Sequence, residues 1–429
     1  MTITNSIPVK WSIGKKLVFC CFFLFTILYT FPFPIGNIPG LNITGLWYSQ
    51  LWNVLVPWIG EHILSVPYPI TVQPNGSGDT TYNYVQLFSF LSLALIGGLI
   101  WTIIDRRRDA YPKLLKGLTV FIRYYLGYYM LAYGFAKVIK TQFPFPGLES
   151  LITPFGESSP MGLAWKFMGY SEAYNMFTGM GEVVGGLLLF FRRTTLLGSL
   201  VLLAVMSNVV MINFSYDVPV KLFSSVLLLF ILFIFALDLK RFLHFFLFNK
   251  PIEAKNYTAY FKEAKWNIAK NIGKGLLLAY FLFSNISSGL SRQKQYGDKR
   301  TLPPLYGIYE VETFVKNQDS IPPLTTDVSR WKRLIISRPE HATIQYMDEH
   351  RARYNFYPDT SKQEILTYSP RDTTQKSTLV YQWANDSTLL VDGVFRRDTL
   401  SVRLTLKKKE DFLLVNRGFH WINEYPFSR

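Results

Sequence analysis

One polar stripe runs through a hydrophobic stretch near the middle of this sequence. Residues 118–138 read GLTVFIRYYLGYYMLAYGFAK, with Arg123, Gly127, Met130, Gly134 and Lys137 at steps of four, three, four and three. On a helix those positions share one face. Ionisable groups at membrane depth are expensive and turn toward a bundle interior or a cavity. A second stripe follows in Asn175, Gly179, Glu182 and Gly186. Its small residues permit close helix approach, and Glu182 falls mid-segment. Such groups can hold a substrate or quinone, move a proton, or simply register helices through ion pairs.

Counting 1.5 Å per residue puts Glu182 roughly 15 Å and Arg123 roughly 7 Å from the cytoplasmic ends of their segments. The expectation is therefore two charge clusters. One joins Arg123 to Glu182. The other, at the outer end, joins Lys137 to Asp217 or Glu149, with Lys221 beside them. Asn208 adds an amide to the candidate ligand-binding set. The competing structural reading has Arg123 and Lys137 snorkelling to opposite interfaces. Glu182 resists that reading because it lies too deep.

These residues need elements to position them. Seven apolar segments stand out, at about 17–35, 84–104, 118–138, 174–191, 194–214, 221–238 and 273–290. The chain of 429 residues carries a net charge of +16. Residues 1–290 hold 23 Lys/Arg and 12 Asp/Glu. The basic residues of that part fall in alternate short loops: three before the first segment, five in 105–116, two in 192–193 and eight in 239–274. The intervening loops hold only Lys140 and Lys166. That asymmetry places the N-terminus in the cytoplasm. Seven spans then put the C-terminal region in the periplasm of a bacterial inner membrane. The same asymmetry reads the charge as a topology signal, so nucleic acid is not an expected partner. The expected partners are the lipid bilayer and a membrane or periplasmic protein.

The two cysteines, Cys20 and Cys21, are adjacent and form neither a CxxC pair nor a zinc site. His62 and His244 lie outside the strong spans, which argues against bis-histidine haem ligation within the bundle. The first segment follows Lys10, Lys15 and Lys16 as in a signal peptide, but FPFPIGNIPG after it offers no small-residue cleavage site, so an uncleaved span is expected. Residues 36–83 form a long outer loop. LWYSQLWNVLVPWIGEHIL within it reads as an interfacial helix, and QPNGSGDTTYNY as a flexible linker or a lid. FLHFFLF, in the charged segment 239–272, reads as interfacial.

From about residue 303 the pattern shifts to short alternating runs. In TLSVRLTL, Leu400, Val402, Leu404 and Leu406 alternate with Ser401, Arg403 and Thr405. RPEH, YPDT, AND and VDG read as turns. Eight to ten antiparallel strands fit an up-and-down barrel or a sandwich. Gly307-Ile308-Tyr309 is similar to the Gly-x-Trp that opens lipocalin-like barrels. His420 and Trp421, near the end, are expected to plug the barrel.

Taken together, Arg123, Gly127 and Gly134-Phe135-Ala136-Lys137, followed by Glu182, Gly185, Gly186, Arg192 and Arg193, resemble the DoxX family of bacterial membrane proteins. The resemblance covers about residues 118–238. Vitamin K-dependent carboxylase-like membrane proteins are a more distant likeness. The DoxX resemblance implies a four-helix core and an association with membrane redox work, including a thiosulfate:quinone oxidoreductase subunit. No P-loop, Rossmann fingerprint, HExxH or GxSxG occurs in a supporting context.

The expected architecture is an α-helical membrane bundle of about seven spans with a DoxX-like four-helix core, plus a C-terminal all-β antiparallel barrel or sandwich. Four regions follow: 1–116 with two spans and the outer loop, the core at 117–240, a charged segment and last span at 241–292, and the β domain at 293–429. The leading functional expectation is a redox-associated protein contacting a quinone-type or small acidic ligand through Lys137 and Glu182. No cofactor is fixed by the sequence, although a quinone is allowed. The alternative is a non-enzymatic anchor or scaffold presenting the β domain for envelope assembly or lipid handling.

Overall fold

The computed structural model describes residues 10–428 apart from 38–40, 42, 256, 258 and 260. The chain divides into a helical unit, residues 1–143 and 160–291, and a second unit, residues 144–159 and 292–429.

In order, the helices are α1 (Ile13–Thr30), α2 (Ile43–His62), α3 (Thr81–Ile104), α4 (Pro112–Val138), α5 (Leu148–Leu151), α6 (Pro160–Tyr170), α7 (Glu172–Leu189), α8 (Thr195–Ser215), α9 (Lys221–Ala236), α10 (Leu239–Phe246), α11 (Ala264–Gln295) and α12 (Leu413–Asn416). All but α5, α12 and the last turn of α11 belong to the helical unit. There, α4 packs on α7, α7 on α8, α8 on α9 and α9 back on α4, which closes a four-helix ring. Helix α1 pairs with α3. Aromatic contacts tie α1 and the turn after it to the ring: Phe22 stacks on Phe233 at 4.5 Å, and Phe33 meets Tyr125 edge-on at 5.1 Å.

Three described helices are long and apolar enough to cross a membrane: α1, α3 and α8. A fourth joins them if α9 and α10, bent by 67°, act as one span. The sequence reading also takes α4, α7 and α11 as spans. They are helices but fall short of that apolarity: the inward stripes of α4 and α7 carry Lys, Arg, Glu and glycine, and α11, with Gly289 as its one buried residue, carries lysines in its first three turns and Asn, Ser and Arg further on. The linker before α3 is pinned at its last residues. Asp79 accepts from the backbone N–H groups of Lys221 (2.7 Å) and Leu222 (3.0 Å), capping α9, and Gly78 N donates to Pro219 O at 2.8 Å.

The close approach of α4 and α7 follows from facing glycines. A Cβ on Gly179 would stand 2.7 Å from Gly134 O and 2.9 Å from Val138 N. A Cβ on Gly134 would meet Gly179 O and Val183 N at 2.9 Å. Further down the pair, Gly186 faces Met130 and Gly127 faces Phe190. Each step forward on α4 is thus a step back on α7, and the glycines fix that antiparallel register.

The second unit holds nine described strands: β1 (Gly307–Lys316), β2 (Asp319–Ser320), β3 (Trp331–Arg338), β4 (His341–Tyr346), β5 (Arg351–Asp359), β6 (Glu364–Ser369), β7 (Asp372–Trp383), β8 (Thr388–Phe395) and β9 (Asp398–Lys407). Apart from the short β2, eight antiparallel strands follow one another around a barrel, and β1 pairs with β9 to close it. The alternation of Leu400, Val402 and Leu404 into the core holds in β9. An eight-stranded barrel is just wide enough for its own side chains to fill. Trp331, Tyr354, Phe356, Ile365 and Phe395 do so here, leaving a void of about 10 Å³.

Two expectations for this unit fail. His420 and Trp421 do not plug the barrel: both are exposed, Trp421 by 91%. The interior is already full, so no volume remains for them. Val391-Asp392-Gly393 is not a turn but lies within β8, and the chain reverses instead at Arg396-Arg397, both at positive φ. Residues 144–159 join this unit: Leu148 packs with Ile308 and Ile335, and Glu149 accepts from Thr343 Oγ1 at 2.9 Å.

Candidate functional site

Lys137 and Glu182 meet inside the helical unit. Lys137 Nζ donates to both carboxylate oxygens of Glu182 at 2.8 Å, and the two side chains are only 8% and 2% exposed. Side chains on a helix lean toward its N-terminus. Helices α4 and α7 run antiparallel, so Lys137 leans toward the level of Glu182 while Glu182 leans toward the level of Lys137. The Gly134–Gly179 contact brings the backbones close enough for the pair to form between them. The ring of Tyr133, one turn before Lys137, lies 5.8 Å from the ammonium.

The pairing expected from sequence is therefore corrected. Glu182 takes Lys137, not Arg123. The register puts Arg123 near the α7–α8 turn, about eleven residues or ~16 Å along α4 from the level of Glu182. The depth count went astray because it used the edges of apolar segments, whereas α4 begins earlier, at Pro112, and the glycines set its slide against α7. Arg123 is 5% exposed and its Nε donates to Leu189 O at 2.8 Å, at the C-terminal end of α7. Neither suggested outer partner of Lys137 takes that role. Asp217 pairs with Lys221 at 2.8 Å, and Glu149 bonds within the second unit.

Beside the ion pair opens a cavity of about 630 Å³ between α4, α6, α7, α8 and α9. It lies within the size range of small-molecule sites. Its wall is largely apolar, with methionines 130, 168, 180 and 206 and the rings of Phe143, Trp165, Phe177 and Phe223. Methionine is flexible and polarizable and adapts to irregular ligands. Polar groups are few. Lys137 and Glu182 share the wall with Gln142, Asn208, Asn213 and Ser224. Asn213 Nδ2 donates to Ser224 Oγ at 3.0 Å. Gln142 Oε1 is buried and has no hydrogen-bond partner among the described residues. Phe143 meets Trp165 of α6 edge-on at 5.0 Å, and Phe143 O accepts from Asn175 Nδ2 at 3.2 Å.

Of the six candidates from sequence, the cavity collects Lys137, Glu182 and Asn208. Arg123, Asp217 and Lys221 do not line it. Sequence reasoning passed over Gln142, Asn213 and Ser224. A signal existed for Asn213, a second amide in the otherwise apolar segment 194–214. Gln142 lies in a loop with no periodicity to flag it.

Two comparisons with known proteins found nothing: neither a family model nor a solved structure matches the chain. A third found a relative. A stretch of 143 residues, 33% of this chain, is 31% identical to the uncharacterized protein YwoB of Bacillus subtilis (strain 168) and covers 88% of it. Identity at that level across most of the relative's length means that this chain belongs to the family of YwoB.

Proposed function

We propose that this is a multi-pass membrane protein whose DoxX-like four-helix core holds a small neutral amphiphile of quinone type beside Lys137 and Glu182. The observation that carries the reading is the apolar cavity with one buried ion pair in its wall. The pair also bears on the choice between an acidic and a neutral ligand. Two of the three Lys137 N–H donors are already directed at Glu182. An acid would have to displace that carboxylate. A carbonyl oxygen can take the third donor while the pair stays intact. The apolar wall and adaptable methionines suit a ring with an aliphatic tail. Redox work follows from this reading if the bound molecule is a quinone, since the chain itself offers Lys137 and Glu182 for orientation and proton movement at the carbonyl.

The competing scaffold reading calls for an open, apolar barrel that handles lipid, and this barrel is filled by its own side chains. In the orientation proposed here the N-terminus is cytoplasmic, seven helices span the inner membrane and the barrel is periplasmic, a reading that the excess of Lys and Arg in alternate loops supports.

Purification in mild detergent, followed by mass spectrometry of extracted small molecules, tests the ligand. A quinone-type amphiphile should be enriched near one per chain relative to an unrelated membrane protein purified alike. No enrichment of any such molecule would defeat the reading. Topology is checked separately. Alkaline phosphatase fused at the C-terminal end should be active, and fused after Lys255 inactive; the reverse pattern would move the β domain to the cytoplasm.

A further inference from the structure

The wall of the cavity does not stay inside the helical unit. Its deep part is buried, with Met130 of α4, Met168 of α6 and Met206 of α8. The same wall also takes in side chains from the outer surface. Phe177 is 74% exposed, Met180 and Val184 are exposed further along α7, and Ala204 and Asn208 are exposed on α8. Apart from Tyr133 on α4, every exposed residue of the wall among the described residues belongs to α7 or α8. A cavity lined by buried and surface residues of one helix pair opens to the outside between those helices.

The glycines explain why the gap lies there. Near the α7–α8 turn the two helices are in tight contact. A Cβ on Gly198 would meet Gly185 O at 3.0 Å, and one on Gly185 would meet Leu202 Cδ2 at 2.6 Å. One turn further on the contact eases, and a Cβ on Gly181 would meet only the tip of Val205, at 3.0 Å. Beyond that level α7 offers Phe177 and Tyr174 to the cavity and α8 offers Val209 and Ile212. Their bulk keeps the helices apart.

Depth decides what can pass the opening. Helix α8 is long and apolar enough to cross a membrane. Ala204 is the tenth of its 21 residues, ~14 Å from its start. In a spanning α8 that is the middle of the hydrocarbon layer, which is about 30 Å thick. A molecule confined to water does not reach that depth.

We infer that the cavity is entered sideways from the bilayer through the α7–α8 gap, and that its ligand carries an alkyl chain seated in the groove of Met180, Val184 and Ala204. This rests on the amphiphile reading of the cavity and adds to it the route of entry and the seat of the tail. The head lies inside, beside Lys137 and Glu182, and the tail leaves where hydrocarbon surrounds it.

The test uses the full-length protein in phosphatidylcholine nanodiscs and two probes that share a ring: a methylated dimethoxybenzoquinone without a side chain, and decylubiquinone, the same ring with a decyl chain. Calorimetric titration compares the parent with Val184→Phe plus Ala204→Phe, which fills the groove from outside. The variant should weaken binding of the decyl probe by about tenfold, the scale of forcing a chain into an over-packed space. Binding of the tailless ring should change less than twofold, which also shows that the cavity is intact. Leu197→Phe, at an exposed position of α8 outside the cavity wall, is the control and should change neither. Equal weakening of both probes, or of neither, overturns the sideways entry and leaves the amphiphile reading standing. Failure of both probes to bind the parent defeats that reading and this inference with it. A change in the oligomeric state of the variant, with decyl binding kept, would assign the groove to a second copy of the chain and overturn the tail as its occupant.

Discussion

Lys137→Met is expected to destabilise the detergent-solubilised protein by about 3–5 kcal/mol, the usual cost of leaving one member of a buried ion pair unpaired. Glu182 would be stranded in a site where it is 1% exposed, beside an apolar cavity. Replacing both partners, as Lys137→Met with Glu182→Leu, should recover most of the loss, because well-packed apolar residues often substitute for a buried pair at little net cost. Arg123→Met separates this pairing from the one expected from sequence. It removes a donor from Leu189 O and leaves Glu182 paired with Lys137, so it should cost about 1–3 kcal/mol. Unfolding in denaturant, followed by tyrosine and tryptophan fluorescence, reads all three. Equal losses for Arg123→Met and Lys137→Met would overturn the assigned pair. The double variant also divides function from fold. It should be well folded and free of the co-extracted amphiphile. A double variant that still carries the molecule would show that the cavity holds it without the pair.

Gly179→Leu should have an effect of similar size by a different route. The Cβ it adds would meet backbone atoms of α4 at 2.7 and 2.9 Å, and backbone cannot rotate out of the way as a side chain can. The two helices must separate. Overpacking of a tight contact typically costs about 1–3 kcal/mol, and the branched Leu places it at the upper end or beyond. Separation at that level also pulls Lys137 from Glu182, since their meeting depends on the glycine contact. The expected result is a lower melting temperature together with loss of the bound amphiphile. Gly147→Ala, where an added Cβ meets nothing within 4 Å, is the control and should change neither. A Gly179→Leu protein as stable as the parent would refute the close approach of α4 and α7.

Much of this molecule follows from local pattern alone. The stripe from Arg123 to Lys137 specifies a helix with one polar face, because 3.6 residues per turn bring those positions into line. Period-two alternation in residues 398–407 specifies a strand with Leu400, Val402 and Leu404 on one side. Apolar stretches of sufficient length marked α1, α3 and α8 as candidates to cross a membrane. These are short-range properties, and each depends only on neighbours within a few residues.

The partners across the fold were a different matter. Whether Glu182 faces Arg123 or Lys137 turns on the slide of α4 against α7, and that slide is set by glycines whose mutual contact is invisible in either segment separately. The cavity exists because α6, α8 and α9 leave volume beside that contact, and Gln142 enters its wall from a loop. In the second unit, alternation placed side chains toward an interior without saying how much room it had. The closure of β1 on β9 fixed the barrel's width at eight strands, and that width left no room for His420 and Trp421. Sequence determined which residues share a face; only the packing of one face on another decided which charges meet, where space remains, and where it does not.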